Sequence, residues 1–171
     1  MLLANKKVAE TFLKQKNKKN IYRIHDQPNE EKLIALERII KNLGYKNKFG
    51  SYKNLHHNIN DLLKKVDQTP EKNLIDTLVI RSMSKAKYSS KNIGHFGLFF
   101  EKYTHFTSPI RRYPDIIVHR NLQKIINNSQ KINKNIEEQC FYLSEREQLS
   151  TKAERSSIKF MQVKYMSSKI N

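Results

Sequence analysis

Apolar residues recur at helical spacing along most of the chain. Leu2, Leu3, Val8, Ala9, Phe12 and Leu13 fall near a helical period and predict a helix over 2–17. A short extended stretch, IYRIHDQP at 21–28, ends in a turn at Pro28. Asn29-Glu30-Glu31 then opens a second helix, with acids in its first turn, where the helix dipole favours them. Leu33, Leu36, Ile39, Ile40 and Leu43 line one face of it, and Gly44 supplies the C-terminal cap. LHHNINDLLKKV at 55–66 has the pattern of another short helix. Thr69-Pro70-Glu71 starts a further one over 71–86, with Leu74, Leu78, Val79 and Met83. Residues 94–103 are rich in aromatics and read as extended. A helix running to about 127 starts at Ser108-Pro109 or at Tyr113-Pro114. The stretch 134–169, without Pro or Gly, predicts one long amphipathic helix. The expected architecture is mainly α, with one or two short extended segments. Met1-Leu2-Leu3 begins the first helix with no cap, as expected of a chain entering from an earlier domain or of a docked terminal helix.

Composition narrows the classes. The 171 residues suit one domain or part of a larger one. Four Gly and four Pro argue against a turn-rich all-β fold, and eight Tyr with eight Phe argue against wholesale disorder. No apolar run approaches the roughly 18 residues that span a bilayer, so no membrane partner is expected. The basic N-terminus has no arginine and no cleavage pattern and carries Glu10, which fits a packed helix better than a targeting peptide. The single cysteine, Cys140, excludes an internal disulfide framework and a cysteine-based zinc site. It fits a reducing cytoplasm and a small core residue rather than a nucleophile. Net charge is +17 with a pI near 9.9, which points to a polyanion, nucleic acid first and an acidic membrane surface second. Lys, Asn and Ile also share A/T-rich codons, so a biased genome would raise the lysine content without selection for binding.

One stretch resists that explanation. HFTSPIRRYPDIIVHR, at 105–120, sets two arginines side by side in a chain where lysine outnumbers arginine about three to one. Pro is favourable at a first helical position, and Ser108 before Pro109 can cap. A helix N-terminus presents free N–H groups to a phosphate, and arginine adds a planar fork for two phosphate oxygens. Tyr103, Phe106 and Tyr113 could stack on the bases of a single strand. The plain alternative has one arginine paired with Asp115 to hold the turn, and the aromatics filling a core. The residues alone leave these two readings level. Ser108, His105 and Asp115 do not make a hydrolase triad, because no G-x-S-x-G elbow accompanies them. The six histidines show no metal-ligand spacing. His56 and His57 are adjacent and cannot share a helix face. His105 and His119 suit helix packing, and His25 a structural role.

The segment GHFGLFFEKYTHFTSPIRRYPDIIVHRNL, at 94–122, closely resembles the signature near the end of the catalytic domain of the RNB family of exoribonucleases, ribonuclease R and ribonuclease II. MLLAN-KKVAE, YRIHDQPNEEKL, LIDTLVIRSMSKAKYS and the KAER of 152–155 agree in order, and the spellings favour the ribonuclease R branch. The resemblance covers essentially all of 1–171, as the C-terminal part of an α+β catalytic domain that is mainly α in this segment. It implies processive 3′–5′ hydrolysis of single-stranded RNA to nucleoside 5′-monophosphates, assisted by Mg²⁺. It implies Arg111 at the scissile phosphate and Glu154 close to the RNA end, with Arg112 for phosphate contact or for structure; Ser108 and Tyr113 join them as candidate RNA-binding residues. Ser156 stands where the family has an Asp after Ala-Glu-Arg. The family's clustered aspartates have no counterpart here, because Asp26, Asp61, Asp67, Asp76 and Asp115 are scattered. No metal ligands are therefore assigned. The cold-shock-like and OB-fold domains are also expected to be missing. The chain is expected to be inactive alone and to need an upstream fragment. A non-catalytic basic RNA-binding module and a gene remnant are the alternatives.

Overall fold

The computed structural model describes residues 1–15, 20–46, 49, 54–128 and 135–169. In chain order the elements are α1 (Leu2–Lys14), β1 (Tyr22–Ile24), α2 (Glu30–Asn42), α3 (Leu55–Val66), α4 (Lys72–Ser82), β2 (Lys87–Ser89), a 3-10 turn (Phe96–Leu98), α5 (Tyr113–Ile126) and α6 (Ile136–Ser167). Strands β1 and β2 pair as a two-stranded sheet. The chain divides into two compact units. One comprises Met1–Arg23, Lys87–Asn92 and Thr104–Asn171, and the other Ile24–Ala86 and Ile93–Tyr103. The mainly-α expectation holds. Residues 16 and 17 of the expected first helix lie outside the described residues.

The unit of α2, α3 and α4 follows its periodicity closely. Leu33, Leu36 and Ile40 on α2, Leu55, Ile59, Leu62 and Val66 on α3, and Ile75 and Val79 on α4 form one buried cluster. Each fully buried side chain of this kind contributes about 1.5–3 kcal/mol. Asn29 caps α2, its side chain accepting from the Glu31 and Lys32 N–H groups at 2.8 and 3.4 Å. Gly44, with φ +88°, ends it. Its N–H donates to the Lys41 carbonyl and that of Tyr45 to Ile40, a Schellman closure that L side chains resist.

Two expectations for this unit are corrected. The helix predicted over 71–86 stops at Ser82, whose hydroxyl donates back to the Val79 carbonyl, and Met83 turns extended. The chain then enters β2, which the helical pattern had hidden. The extended reading of 94–103 also fails. His95 and Phe100 exchange backbone hydrogen bonds around the 3-10 turn, with Phe99 left-handed at φ 53°. Histidines compete with strand pairing here. The Leu98 N–H donates to His95 Nδ1 at 3.2 Å, and the Gly97 N–H to His25 Nδ1 at 2.9 Å. His25 Nε2 donates to the Ser84 carbonyl at 2.6 Å, so both of its nitrogens are used and its structural role stands. His56 stacks on Phe99, with ring centroids 4.6 Å apart.

In the other unit, α1 buries Asn5, Val8, Ala9 and Phe12, while Leu2, Leu3 and Leu13 stay exposed. Helix α5 buries Pro114, Asp115, Ile117 and Val118, and α6 buries only Ile136, Cys140 and Leu143 from its first turns. Burial pushes the Cys140 thiol up to about 12, so it is the inert core residue expected.

Candidate nucleic-acid interface

The arginine turn is built by Asp115. Helix α5 begins at Tyr113-Pro114, not at Ser108-Pro109, and Ser108 caps nothing. The Ser108 carbonyl accepts from the Arg111 and Arg112 N–H groups at 3.3 and 3.1 Å, closing a single turn ahead of the helix. Asp115, in the first turn of α5, has no exposure. Its Oδ1 accepts from the Ser108 N–H and from Arg112 Nη2, both at 2.8 Å. A proline at the start of α5 removes one donor, and a buried carboxylate already answers the helix dipole. This geometry does not support the expected phosphate seat on a helix N-terminus.

The two arginines are thereby separated. The Arg112 side chain is 21% exposed and committed to Asp115. Arg111 is exposed, and its side chain has no hydrogen bond or ion pair among the described residues. Ile110 before it is fully exposed, and Tyr113 after Arg112 is 56% exposed. Of the three aromatics read as base platforms, only Tyr113 is presented. Tyr103 is buried and packs edge-on to His95 at 5.4 Å. Phe106 is half-buried and stacks on His119 at 4.0 Å, and His119 Nε2 donates to the Phe106 carbonyl. Glu154 is exposed on α6, and no contact described here joins it to the arginine turn.

Several side chains that position this segment left no clear sequence signal. The buried Asn5 of α1 accepts from the Phe106 N–H at 3.1 Å. The Thr104 hydroxyl donates to the Ile21 carbonyl at 2.6 Å with no exposure. Arg23 lies 4.7 Å over the Tyr88 ring and pairs with Glu147 at 2.5 Å. Burial raises the Tyr88 phenol, which stays protonated and shares a hydrogen bond with His105 Nδ1 at 2.9 Å. A short polar residue on an apolar helix face, as Asn5 is in MLLAN, was the one available hint. Among the described residues, no three His, Cys, Asp or Glu side chains gather in a way that could hold a metal ion. The residues present therefore do not fit a magnesium centre. Among them, too, no helix is long and apolar enough to cross a membrane.

A profile of the RNB domain matches residues 1–128. Ribonuclease R of Aquifex aeolicus is 40% identical over 178 residues, covering 99% of this chain and 24% of that protein. The chain thus spans about a quarter of the length of the curated relatives it matches at full coverage. The structure of Mycoplasma genitalium RNase R in complex with ribose methylated single-stranded RNA superposes with a TM-score of 0.88 at 28% identity, over 99% of this chain and 28% of that one. Yeast Ssd1, described as a pseudonuclease, matches with a TM-score of 0.68 at 26% identity, over 84% of this chain and 18% of that one. The resemblance read in the signature at 94–122 is therefore matched both in sequence and in fold. The chain belongs to the RNB domain family.

Proposed function

We propose that this chain is the phosphate-facing part of a processive 3′–5′ exoribonuclease that releases nucleoside 5′-monophosphates from single-stranded RNA. The observation that carries the reading is the exposed, uncommitted Arg111 beside an Arg112 locked to Asp115. A guanidinium carried on a hydrogen-bonded turn can donate two parallel hydrogen bonds to a phosphodiester and offset charge as it builds on the phosphate oxygens. Tyr113 offers an adjacent face for a base. Ser108 holds the turn through its backbone, and Arg112 acts as a positioning residue. Glu154 is assigned to the neighbourhood of the RNA 3′ end. Ligands for Mg²⁺ have to come from another segment of the enzyme, so the chain alone does not hydrolyse RNA. That another RNase R was captured with single-stranded RNA supports the substrate class.

The test uses 5′-labelled single-stranded RNA, with Mg²⁺ and then with EDTA. The purified chain should leave the RNA intact. Co-expression with an upstream, aspartate-bearing RNB segment should give Mg²⁺-dependent shortening, and Arg111→Ala should abolish it. Full activity in the alanine variant would falsify the Arg111 assignment. A ladder from the chain alone would show a metal site within these 171 residues. A second reading, RNA binding without catalysis, is favoured by the likeness to a pseudonuclease and by the lack of a metal cluster among the described residues. It predicts RNA affinity that falls steeply between 50 and 200 mM salt, with no decay in any combination.

A further inference from the structure

The segment that leads into the arginine turn is tied down residue by residue, within the unit of α1, α5 and α6. The Thr104 hydroxyl donates to the Ile21 carbonyl at 2.6 Å. The Phe106 N–H donates to Asn5 Oδ1 at 3.1 Å, and His119 Nε2 donates to the Phe106 carbonyl at 2.9 Å. The Ser108 N–H donates to Asp115 Oδ1 at 2.8 Å. These bonds hold the chain on both sides of His105. The His105 ring has an anchor of its own. Its Nδ1 shares a hydrogen bond with the Tyr88 hydroxyl at 2.9 Å, and the two rings meet edge-on with centroids 5.7 Å apart.

Tyr88 is itself held firmly. Its N–H donates to Ser144 Oγ at 2.9 Å, and that hydroxyl donates to the Cys140 carbonyl at 2.8 Å, so β2 is pinned to the first turns of α6. The Arg23 guanidinium lies 4.7 Å over the Tyr88 ring and pairs with Glu147 at 2.5 Å. A flat guanidinium can cover a ring and reach a carboxylate at once, which an ammonium does not reproduce. The Tyr88 side chain is buried. Burial raises its phenol, and the charges of Arg23, Glu147, Arg112 and Asp115 also act on it. The hydroxyl therefore lies within electrostatic reach of the pair that builds the arginine turn. A buried tyrosine needs a hydrogen-bond partner, but any backbone carbonyl would meet that need. Here the partner is a side chain on the segment that carries Arg111.

We propose that Tyr88 is a positioning residue for the RNA contact at Arg111, acting through His105. The proposal rests on the reading of Arg111 as the phosphate contact. Tyr88 holds the His105 ring, the ring steadies the segment, and the turn from Ser108 to Arg112 then presents Arg111 in one place. A misplacement of about 1 Å is enough to weaken a two-pronged contact to phosphate. Through Arg23 and Glu147 the same link joins the arginine turn to α6.

A binding cycle on the free chain tests this, read by fluorescence anisotropy of a labelled single-stranded oligoadenylate at about 50 mM salt. Circular dichroism first sets a temperature at which every variant is folded. Tyr88→Phe removes only the hydroxyl. It should weaken binding about fivefold in the parent and leave it unchanged in an Arg111→Ala background. His105→Leu should match Tyr88→Phe. His105→Asn, whose amide takes the place of Nδ1, should bind within about twofold of the parent. Ile136→Val, at a fully buried position outside this network, should leave binding as it is. A Tyr88→Phe loss that persists in the Arg111→Ala background overturns the proposal, because Tyr88 then acts on the fold and not on Arg111. So does a Tyr88→Phe chain that binds like the parent while Arg111→Ala does not, and in that case the phosphate reading stands alone. A His105→Asn chain no better than His105→Leu overturns it as well. If Tyr88→Phe does not fold, the two His105 variants decide. If Arg111→Ala itself binds like the parent, the phosphate reading fails and the proposal with it. RNA decay in the reconstituted enzyme is scored separately. No decay, with the coupling between 88 and 111 intact, sinks the exoribonuclease reading and keeps the positioning role for RNA binding.

Discussion

Asp115→Ala should destabilise the unit that carries the arginine turn far more than any change at Arg111. The carboxylate has no exposure, and its Oδ1 serves both Arg112 Nη2 and the Ser108 N–H at 2.8 Å. Removing it strands a mostly buried guanidinium and a backbone donor. Breaking a buried ion pair costs about 3–5 kcal/mol, and an orphaned donor about 1–3 kcal/mol. Two features pull the total to the lower end. The Arg112 side chain is 21% exposed and can recover some hydration. Asp115 Oδ2 and Arg112 Nε are already buried without a partner among the described residues, so the native pair is incompletely compensated. The expected loss is about 4 kcal/mol. Asp115→Asn keeps an acceptor for Ser108 but loses the charge, so it should cost about half as much, as a neutral bond replaces a charged one. The chain has no Trp, so urea unfolding is followed by far-UV circular dichroism. With two compact units, separate transitions must be allowed for in the fit. A double-mutant cycle with Arg112→Ala should return a coupling of about 1.5–3 kcal/mol. A loss below about 1 kcal/mol for Asp115→Ala, or a coupling near zero, would refute the claim that this pair builds the turn.

Three further outcomes are expected. Arg111→Ala should leave stability within about 0.5 kcal/mol, and should weaken single-stranded RNA binding and shrink its salt slope by about one, read by fluorescence anisotropy from 50 to 200 mM salt. Gly97→Ala would bring a Cβ to 2.8 Å from His25 Nδ1, so its unit should lose about 1–3 kcal/mol. An unchanged melt would show that His25 swings aside freely. Alkaline pH should destabilise the chain. Burial pushes Cys140 and Tyr22 up to about 12 and raises Tyr88 as well, so all three stay protonated when folded. Unfolded, the thiol loses its proton from near 9 and the phenols from near 10, so stability is complete below pH 9 and falls from there towards 12. The slope is about 1.4 kcal/mol per pH unit for each group released. Tyr22→Phe should flatten the fall above pH 10 in pH-dependent melts, and an unaltered slope would contradict the burial argument.

Helix periodicity was legible wherever one face meets a core within the same unit. The pattern of Leu55, Ile59, Leu62 and Val66 located α3 to the residue, because burial and spacing agree there. Strand β2 was not legible. Its three residues carry one buried side chain, Tyr88, and follow a helical run with no Gly or Pro between. The turn at 96–98 was missed because histidine side chains supply its hydrogen bonds, and a propensity argument gives histidine no such part. At the candidate site, the motif marked the arginine turn but not which of the two arginines pairs with Asp115. That choice follows from the zero exposure of Asp115, a tertiary fact that depends on α1, α5 and the segment at 104–108 packing together. Long α6 was legible as a helix, while its amphipathic pattern blurs because apolar residues occupy two opposite sides beyond Lys152.

Lysine is the default cation of this chain, so an arginine whose guanidinium meets a defined partner is where geometry matters beyond charge. The positions 111 and 112 should separate on that basis. Arg112 faces a carboxylate with no exposure, where a compact and strongly hydrated ammonium is costly to desolvate and cannot reproduce the planar donor. Arg112→Lys should therefore lose stability, by about 1–3 kcal/mol. Arg111 is in water, and Arg111→Lys should melt like the parent. In the reconstituted nuclease, however, the same change keeps the charge and loses the two-pronged contact, so RNA decay should slow while the long-range attraction of a +17 chain for RNA persists. The two conservative variants thus predict opposite losses, stability without direct chemistry at 112 and chemistry without stability at 111. If both variants lose only stability, the pair is a structural device and the phosphate contact lies elsewhere. If neither loses anything, the arginines carry charge alone, and the signature that ties this turn to RNA has no geometric basis.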